Sequence, residues 1–559
     1  MENGAHYDVI VLGSGAGGLT AAITASAHGR SVLLVEKADV IGGTLAWSGG
    51  GVWVPGNHHM ADVGESDSPE KARLYLRGHL GNYYDEEAVD AFLSNAAEAF
   101  HFLEGVGKWI RFKSYPGSDY HPLLPGAAEM ARSMLPVPFD GRVLGAWLAK
   151  LRRPKREMTI FGGLQIEAAE IPLFQDVFRS PSAFAHVVRR LAQYGLDLIR
   201  HGRSVRLIRG TALAAALLRT ALDLRVTIMH GTQVSRLLQD ETGRVTGIRM
   251  LARPGEDGEI VARCGVVLAT GGFSANKMLR QRYLPDPANH LTLLPSANGG
   301  DGISLALAAG AVMGAGAAAP AIYAPASRRH LSDGSESVYP HFMFDRCKPG
   351  SMIVGPDGQR FVNEAESYHT LVQRMHALKI SPAWLIAGHV FLRRYGMGLA
   401  RPAPNPYRHL IREGYLIRGR SLHELATKIG VDPAGLRESA ERMTRYAQAG
   451  NDPDFGRGGD IYTRNLGDPA HGPNSSLGAV DVGPFYAVAL YPTDVGTSLG
   501  LAVRGDGAVL AADGTTIPGL FAAGLDANAA LRGFYPGAGT QIGQAMAMGY
   551  ASGKSLADE

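Results

Sequence analysis

The sequence predicts an α/β fold organised on a buried parallel sheet in three layers, and three observations carry that prediction. The first is "YDVIVLGSGAGGLTAAITASAHGRSVLLVEK" at 7–37: an apolar run, a glycine-rich turn, a small-residue helix and a second apolar run ending in an acid. The second is "GVVLATGGF" at 265–273, an apolar run that ends in glycines. The third is "GLFAAGLDANAA" at 519–530, a short run of the same kind near the C-terminus. Runs that are apolar at every position suit strands covered on both faces. Alternation of strand and helix favours parallel pairing with helices packed above and below.

The first unit reads in order. Val9 to Leu12 form the opening strand, and Gly13, Gly15 and Gly18 make a G-x-G-x-x-G turn. In a Rossmann-like unit the first glycine permits the tight turn, the second lets the backbone approach a diphosphate, and the third lets helix pack on strand. The helix runs from Leu19 to about His28, with its positive end aimed at the phosphates. A second strand, Val32 to Val35, ends at Glu36, placed to catch ribose hydroxyls.

The loop after Glu36, "ADVIGGTLAWSGGGVWVPGN", has two glycine clusters that can pass close to a planar ring. The runs at 265–273 and 519–530 read as returns of the chain to the same site, with Gly524 and Asp526 after the last strand. In flavoprotein folds such returns close the dinucleotide domain, and that acid meets the ribityl chain, so the cofactor reads as FAD. No second strand–GxGxxG–helix unit is present, so the electron acceptor is expected to be external. The candidate cofactor contacts are Gly13, Gly15, Ala16, Gly17 and Gly18; Glu36 and Lys37; Gly42, Gly43 and Thr44; Ser48, Gly49 and Gly50; Ala269, Thr270 and Gly271; Gly524 and Asp526; and Gly539, Gln541 and Ile542.

Composition excludes other classes. Lys plus Arg total 55 against 52 for Asp plus Glu, a formal charge of +3, which lacks the basic field of a nucleic-acid binder. The two cysteines, Cys264 and Cys347, form no CxxC or Cys/His cluster, so no disulfide framework, metal site or iron–sulfur cluster is expected. Glu2, Asp8 and the early glycines do not read as a secretory leader, and cytoplasm is the expected compartment. Residues 302–327 lack charge but consist mostly of Gly, Ala and Pro, which predicts a buried helix and then a turn.

"GLDANAALRGFYPGAGTQIGQAMAMGY" at 524–550 sets Tyr535 at the lip of a Pro-Gly-Ala-Gly turn ahead of a small-residue helix. Its hydroxyl can point at a ketone oxygen, and the backbone N–H of Gly539 at the start of that helix can point at the same oxygen. Loss of an α-proton next to a ketone needs such donors, which can be worth about 3 to 4 kcal/mol each.

These segments resemble the flavoproteins of the fumarate reductase and 3-ketosteroid dehydrogenase superfamily. Residues 522–550 are similar in particular to the C-terminal signature of the 3-ketosteroid Δ1-dehydrogenase family. The resemblance spans the chain and is densest at 7–57, 110–122, 268–273, 354–370 and 484–550. It implies non-covalent FAD, since relatives with covalent FAD carry His where Gly43 precedes Thr44. It implies a FAD-binding domain over 1–290 and 480–559, and an inserted α+β catalytic cap over 291–479 with helices at 421–430 and 433–449. It also implies desaturation at C1–C2 of a 3-ketosteroid, with α-proton removal, hydride transfer to the flavin and an external acceptor such as a quinone.

The resemblance assigns the roles. Tyr535 and Gly539 hold the enolate oxygen. "GQRFVNEAESYHT" (358–370) supplies the base, Tyr368, and "YPGSDYHP" (115–122) supplies its partner, Tyr120, with Tyr115 as the alternative. An unperturbed tyrosine has a pKa near 10, so neighbours are expected to push Tyr368 toward phenolate. Leu531 and Arg532 depart from the pattern beside Gly533, as does Phe534, and Arg532 reads as a surface residue, a support for FAD or a partner for an acidic substrate.

Residues 123–180 read as an excursion with a basic run: Lys150, Arg152, Arg153, Lys155 and Arg156. Peripheral membrane contact through 123–160 is one expectation, and a solvated basic face beside a core helix is the other. Alternative functions are desaturation of a cyclohexanone-type ring, Δ4-desaturation, or reduction of an unsaturated carboxylate using Arg532 and the cluster Arg328, Arg329 and His330. A flavin-loaded carrier without turnover is the remaining one.

Overall fold

The structure is a computed structural model and describes residues 5–251 and 258–559. Glu2, used above, lies outside the described residues. The parallel core of the first sheet runs Thr516–Ala522, Glu259–Leu268, Ala5–Leu12, Val32–Glu36 and Thr227–His230, with Ala508–Leu510 as an antiparallel edge. The pairing Val9↔Val32 on one side and Val9↔Gly265 on the other sets the first strand in the middle.

Alternate residues of these strands enter two different cores. Val9, Val11 and Leu34 pack with the helices Ala16–Ala27, Arg209–Asp223 and Thr540–Asp558. Ile10, Leu12, Leu33 and Val35 pack against the hairpin Gln233–Gln239/Val245–Leu251 and the helix Asp301–Ala308. Both faces are thus covered, as the unbroken apolar runs require, and each such side chain contributes about 1.5–3 kcal/mol. The strand Glu259–Leu268 serves two partners on one edge. Val261 pairs with Gly247 antiparallel, and Val266 with Leu520 parallel. The C-terminal helix needs small residues to lie on the first: a Cβ on Gly549 would meet Gly17 O at 2.3 Å, and one on Gly553 would meet Ala21 O at 2.6 Å.

A second sheet of seven strands is built on Phe485–Thr497. Ala383–Gly388 and Ile417–Gly419 flank its first half, and Ala321–His330 and Leu291–Thr292 its second. The helices Leu422–Ile429 and Pro433–Ala449 lie where the sequence predicts them, capped by the Ser421 and Asp432 side chains.

Three expectations change. Residues 302–327 hold a helix only to Ala308, and Ala321–His330 is a buried strand. Ala- and Gly-rich segments carry no periodicity that separates the two. Phe485–Thr497, placed above in the closing 480–559 segment, is the central strand of the second sheet, and the chain re-enters the first sheet at Ala508. In the excursion, Arg152 and Lys155 turn inward over the Trp47 ring, at 5.5 and 4.9 Å, so the basic run is not one outward face. The exposed large apolar side chains there are Leu123, Phe161 and Phe178, and others follow on the helix Pro181–His201 at Phe184, Val188, Leu196, Leu198 and Ile199. Among the described residues no helix is long and apolar enough to cross a membrane.

Candidate active site

One cavity of about 480 Å³ runs from Glu36 to Tyr120, Tyr368 and Tyr535. At its first end the three glycines divide their work as expected. Gly13 has φ +104°, and a Cβ on it would meet Ala269 O at 2.2 Å. A Cβ on Gly18 would meet Gly13 O at 2.0 Å, whereas one on Gly15 has nothing within 4 Å. Gly15 therefore leaves room beside the helix N-terminus for a diphosphate. Glu36 Oε2 accepts from Ser14 N at 2.9 Å and Ser14 Oγ at 2.5 Å, and Oε1 from Ala38 N at 2.9 Å. Oε1 keeps a lone pair for a ribose hydroxyl. The residues present fit FAD.

Most predicted contacts line this cavity: Gly13, Gly15, Ala16 and Gly17; Glu36 and Lys37; Gly43 and Thr44; Ser48 to Gly50; Ala269 to Gly271; Gly524; and Gly539, Gln541 and Ile542. Gly18, Gly42 and Asp526 do not. Gly18 packs under the turn, and Gly42 N donates to Ser14 Oγ at 3.0 Å. The Asp526 carboxylate is fully buried and accepts from Thr270 N, Thr270 Oγ1 and Gly272 N at 2.5, 2.8 and 2.8 Å. It clamps the 270–272 loop. A Cβ on Gly302 would meet that carboxylate at 2.4 Å, so this glycine serves the clamp. The sequence reading missed Trp47, Arg152 and Lys155, which line the cavity. The basic run marked two of them, but nothing local said that they face inward.

At the other end three chain segments meet. Tyr120 follows the strand Phe112–Ser114, Tyr368 opens the helix Tyr368–Leu378, and Tyr535 precedes the C-terminal helix. The Tyr535 ring lies 5.7 Å from Tyr120 and 5.5 Å from Tyr368. The Tyr120 hydroxyl donates to the Tyr368 oxygen at 3.5 Å. Gly539 N donates to the Tyr535 oxygen at 3.2 Å. The turn is anchored at the Pro536 carbonyl, which accepts from Tyr75 Oη at 2.7 Å and Tyr120 N at 2.8 Å. Only glycine fits at 539, where φ is +92° and a Cβ would meet Gly51 O at 2.1 Å. Tyr115 lines the cavity as well, but Tyr120 is the one that reaches Tyr368. Tyr462 joins the cluster 4.7 Å from Tyr120, with its hydroxyl buried and unpartnered in the structure.

Electrostatics depart from expectation. Burial pushes the Tyr368 phenol well above its ordinary value, and the Tyr120 and Tyr535 phenols add to this. Tyr120 and Tyr535 are raised by burial too. A group of phenols without charge compensation favours the neutral form. The cation acting on the cluster is Arg346, fully buried, which draws Tyr120 and Tyr462 downward against their burial.

The residues that depart from the family pattern face away. Leu531 is fully buried, Arg532 pairs with Asp85, and Phe534 meets His79 edge to face at 5.1 Å. Arg329 pairs with Glu413 at 2.7 Å, and Arg328 and His330 lie on Glu336 at 3.8 and 3.2 Å. None of these cations lines the cavity, so the arginines proposed to clamp a carboxylate are engaged elsewhere. Outside the cavity, His58 Nε2 and His59 Nε2 both lie on Glu104 Oε2, at 2.8 and 2.9 Å. Among the described residues this is the group with metal-ligand chemistry that comes together.

Fold and cavity define a FAD-binding oxidoreductase, and residues 8–542 match the model of the FAD binding domain family. A 4-oxocyclohex-2-ene-1-carboxylate 5-dehydrogenase of Sinomonas cyclohexanicum is 36% identical, over 98% of this chain and 93% of that one. A 3-oxosteroid 1-dehydrogenase of Mycolicibacterium smegmatis is 33% identical, over 99% and 98%. The crystal structure of the 3-ketosteroid Δ1-dehydrogenase of Sterolibacterium denitrificans with 1,4-androstadiene-3,17-dione superposes with a TM-score of 0.89 at 33% identity, covering 99% of both chains. The chain belongs to the FAD-binding family that contains the 3-oxosteroid 1-dehydrogenases. It is a FAD-dependent dehydrogenase of their type, or of the related type that acts on cyclic keto acids.

Proposed function

We propose that the protein dehydrogenates a cyclic ketone at the bond next to its carbonyl, at C1–C2 where the ketone is a 3-ketosteroid. The observation that carries this reading is the 3.2 Å approach of Gly539 N to the Tyr535 oxygen inside the cavity, beside Tyr368. The Gly13–Gly18 turn and Glu36 would hold FAD, which would supply the acceptor for the hydride leaving the β-carbon. Tyr535 Oη–H donates to the ketone oxygen, and the Gly539 N–H, which lies on the Tyr535 oxygen, turns toward the ketone as it enters, so that the two hold the charge that develops there. Tyr368 Oη, in its phenolate form, takes the α-proton, and the Tyr120 hydroxyl, which donates to that oxygen, stabilises the phenolate beforehand. The buried aromatic walls exclude water, which strengthens both donors. The family resemblance implies an external electron acceptor, with a quinone as its class.

Anaerobic mixing of the holoprotein with 3-ketosteroids and cyclohexanone-type ketones tests this. Bleaching of the flavin by a ketone is the expected result. A flavin that no ketone bleaches, but that is re-oxidised by fumarate-like acids after dithionite reduction, would replace the reading with carboxylate reduction. Neither response would leave a carrier.

A further inference from the structure

Five cationic side chains line the cavity: Lys37, Lys113, Arg152, Lys155 and Arg209. Three have carboxylates. Lys37 lies 2.6 Å from Asp301, Lys113 3.3 Å from Glu167, and Lys155 3.9 Å from Glu157. Arg152 and Arg209 form no ion pair among the described residues. They sit at opposite ends.

Arg152 follows the Ile41↔Leu151 bridge, feels the Glu36 carboxylate and stacks on Trp47, which places it with the nucleotide. Arg209 lies 5.9 Å over the Phe344 ring. Phe344 stands two residues beyond Phe342, whose ring is 5.0 Å from that of Tyr368. Arg209 thus belongs to the wall that continues from the catalytic tyrosines.

Its guanidinium makes one hydrogen bond, Nη2 to Ile166 O at 3.2 Å. The nearby Glu167 carboxylate is already held by Arg206 at 2.7 Å and by Lys113. Burial pulls the Arg209 guanidinium below its ordinary value. The backbone there is strained as well, with φ +58° in a non-glycine residue, and it is locked against Gly50, whose Cβ would meet Arg209 C at 2.4 Å. A desolvated cation without a counter-ion is costly. A strained backbone that aims it is a further cost that function commonly explains.

We infer that Arg209 is the binding partner of a carboxylate carried by the substrate at a distance from the ketone that Tyr535 and Gly539 hold. The inference rests on the cyclic-ketone reading above and names its substrate class: a cyclic keto acid. A guanidinium fork matches a carboxylate with two parallel hydrogen bonds. Two sources share that chemistry, a single ring bearing its own carboxylate and a 3-oxosteroid with an acidic side chain.

Steady-state kinetics of the holoenzyme on 4-oxocyclohexanecarboxylate and its methyl ester, and on a 3-oxosteroid side-chain acid and its methyl ester, separate them. In one of the two arms the acid should be preferred over its ester by roughly tenfold or more in kcat/KM. Arg209→Gln should abolish that preference through KM, leave the ester unchanged and retain FAD, and Arg209→Lys should restore part of it. Equal rates on acid and ester in both arms would overturn the inference, as would a Gln variant that loses both alike. If no ketone bleaches the flavin, the dehydrogenation reading fails by itself. The inference is then decided by whether unreactive cyclohexanecarboxylate perturbs the flavin spectrum in the wild type and not in Arg209→Gln.

Discussion

The Gly539 amide donates to the Tyr535 hydroxyl oxygen across 3.2 Å, so that hydroxyl is held as an acceptor on one side and its own proton is free to be given to a substrate. A ketone oxygen entering beside the two groups takes the hydroxyl proton and competes with the Tyr535 oxygen for the Gly539 amide, two donors in all. Tyr535→Phe removes one of them. Exchange of the α-hydrogens of a bound ketone, followed by deuterium incorporation, should slow by roughly a hundredfold to a thousandfold with FAD content unchanged. Wild-type exchange would end the oxyanion role.

Gly539→Ala is expected to do more than remove a donor. The new Cβ would collide with Gly51 O, and the left-handed backbone disfavours alanine. A loss of about 1–3 kcal/mol in stability follows, with lowered flavin occupancy, because Gly51 continues the loop that lines the cavity. Thermal unfolding and the flavin-to-protein absorbance ratio measure it.

Tyr368 sets the pH dependence. Burial raises its pKa, so at neutral pH the phenol is protonated, and the phenolate fraction grows about tenfold for each unit of rising pH. kcat/KM should climb from neutrality to about pH 10 without levelling. Tyr368→Phe should keep FAD and lose most turnover together with that slope. A flat profile in the wild type would remove Tyr368 as the base.

Arg152 supplies a test at the other end. Arg152→Gln should weaken FAD binding by roughly tenfold to a hundredfold, read by fluorescence titration of the apoprotein. An unchanged affinity would return this cation to the excursion surface.

Arg532 should matter little. Its partner Asp85 is partly exposed, so Arg532→Ala is expected to cost about 0–1 kcal/mol and to leave KM untouched. A rise in KM confined to acidic ketones would move the carboxylate partner from Arg209 to this position.

Much of this was legible because it is local. A strand covered on both faces must be apolar throughout, a diphosphate turn must lack side chains at Gly13, Gly15 and Gly18, and a backbone donor at 539 requires glycine. Each constraint acts within a few residues and writes itself into the chain. The family resemblance added Tyr120 and Tyr368, and the structure brings them to Tyr535.

What depends on the environment of a side chain was not legible. Asp526 stands where a ribityl contact was expected, and its carboxylate holds a loop more than 250 residues earlier in the chain. Arg152 and Lys155 look like a surface run until the fold turns them onto Trp47. Phe485–Thr497 could join either sheet from its own residues, since both sheets bury both faces. The sequence by itself determined the dinucleotide turn, the covered strands and the glycine donor, because backbone geometry is a short-range property. Only the tertiary structure decided which cations are paired, how far the phenols are desolvated and where Arg209 points, because charge and burial are summed over segments distant in the chain.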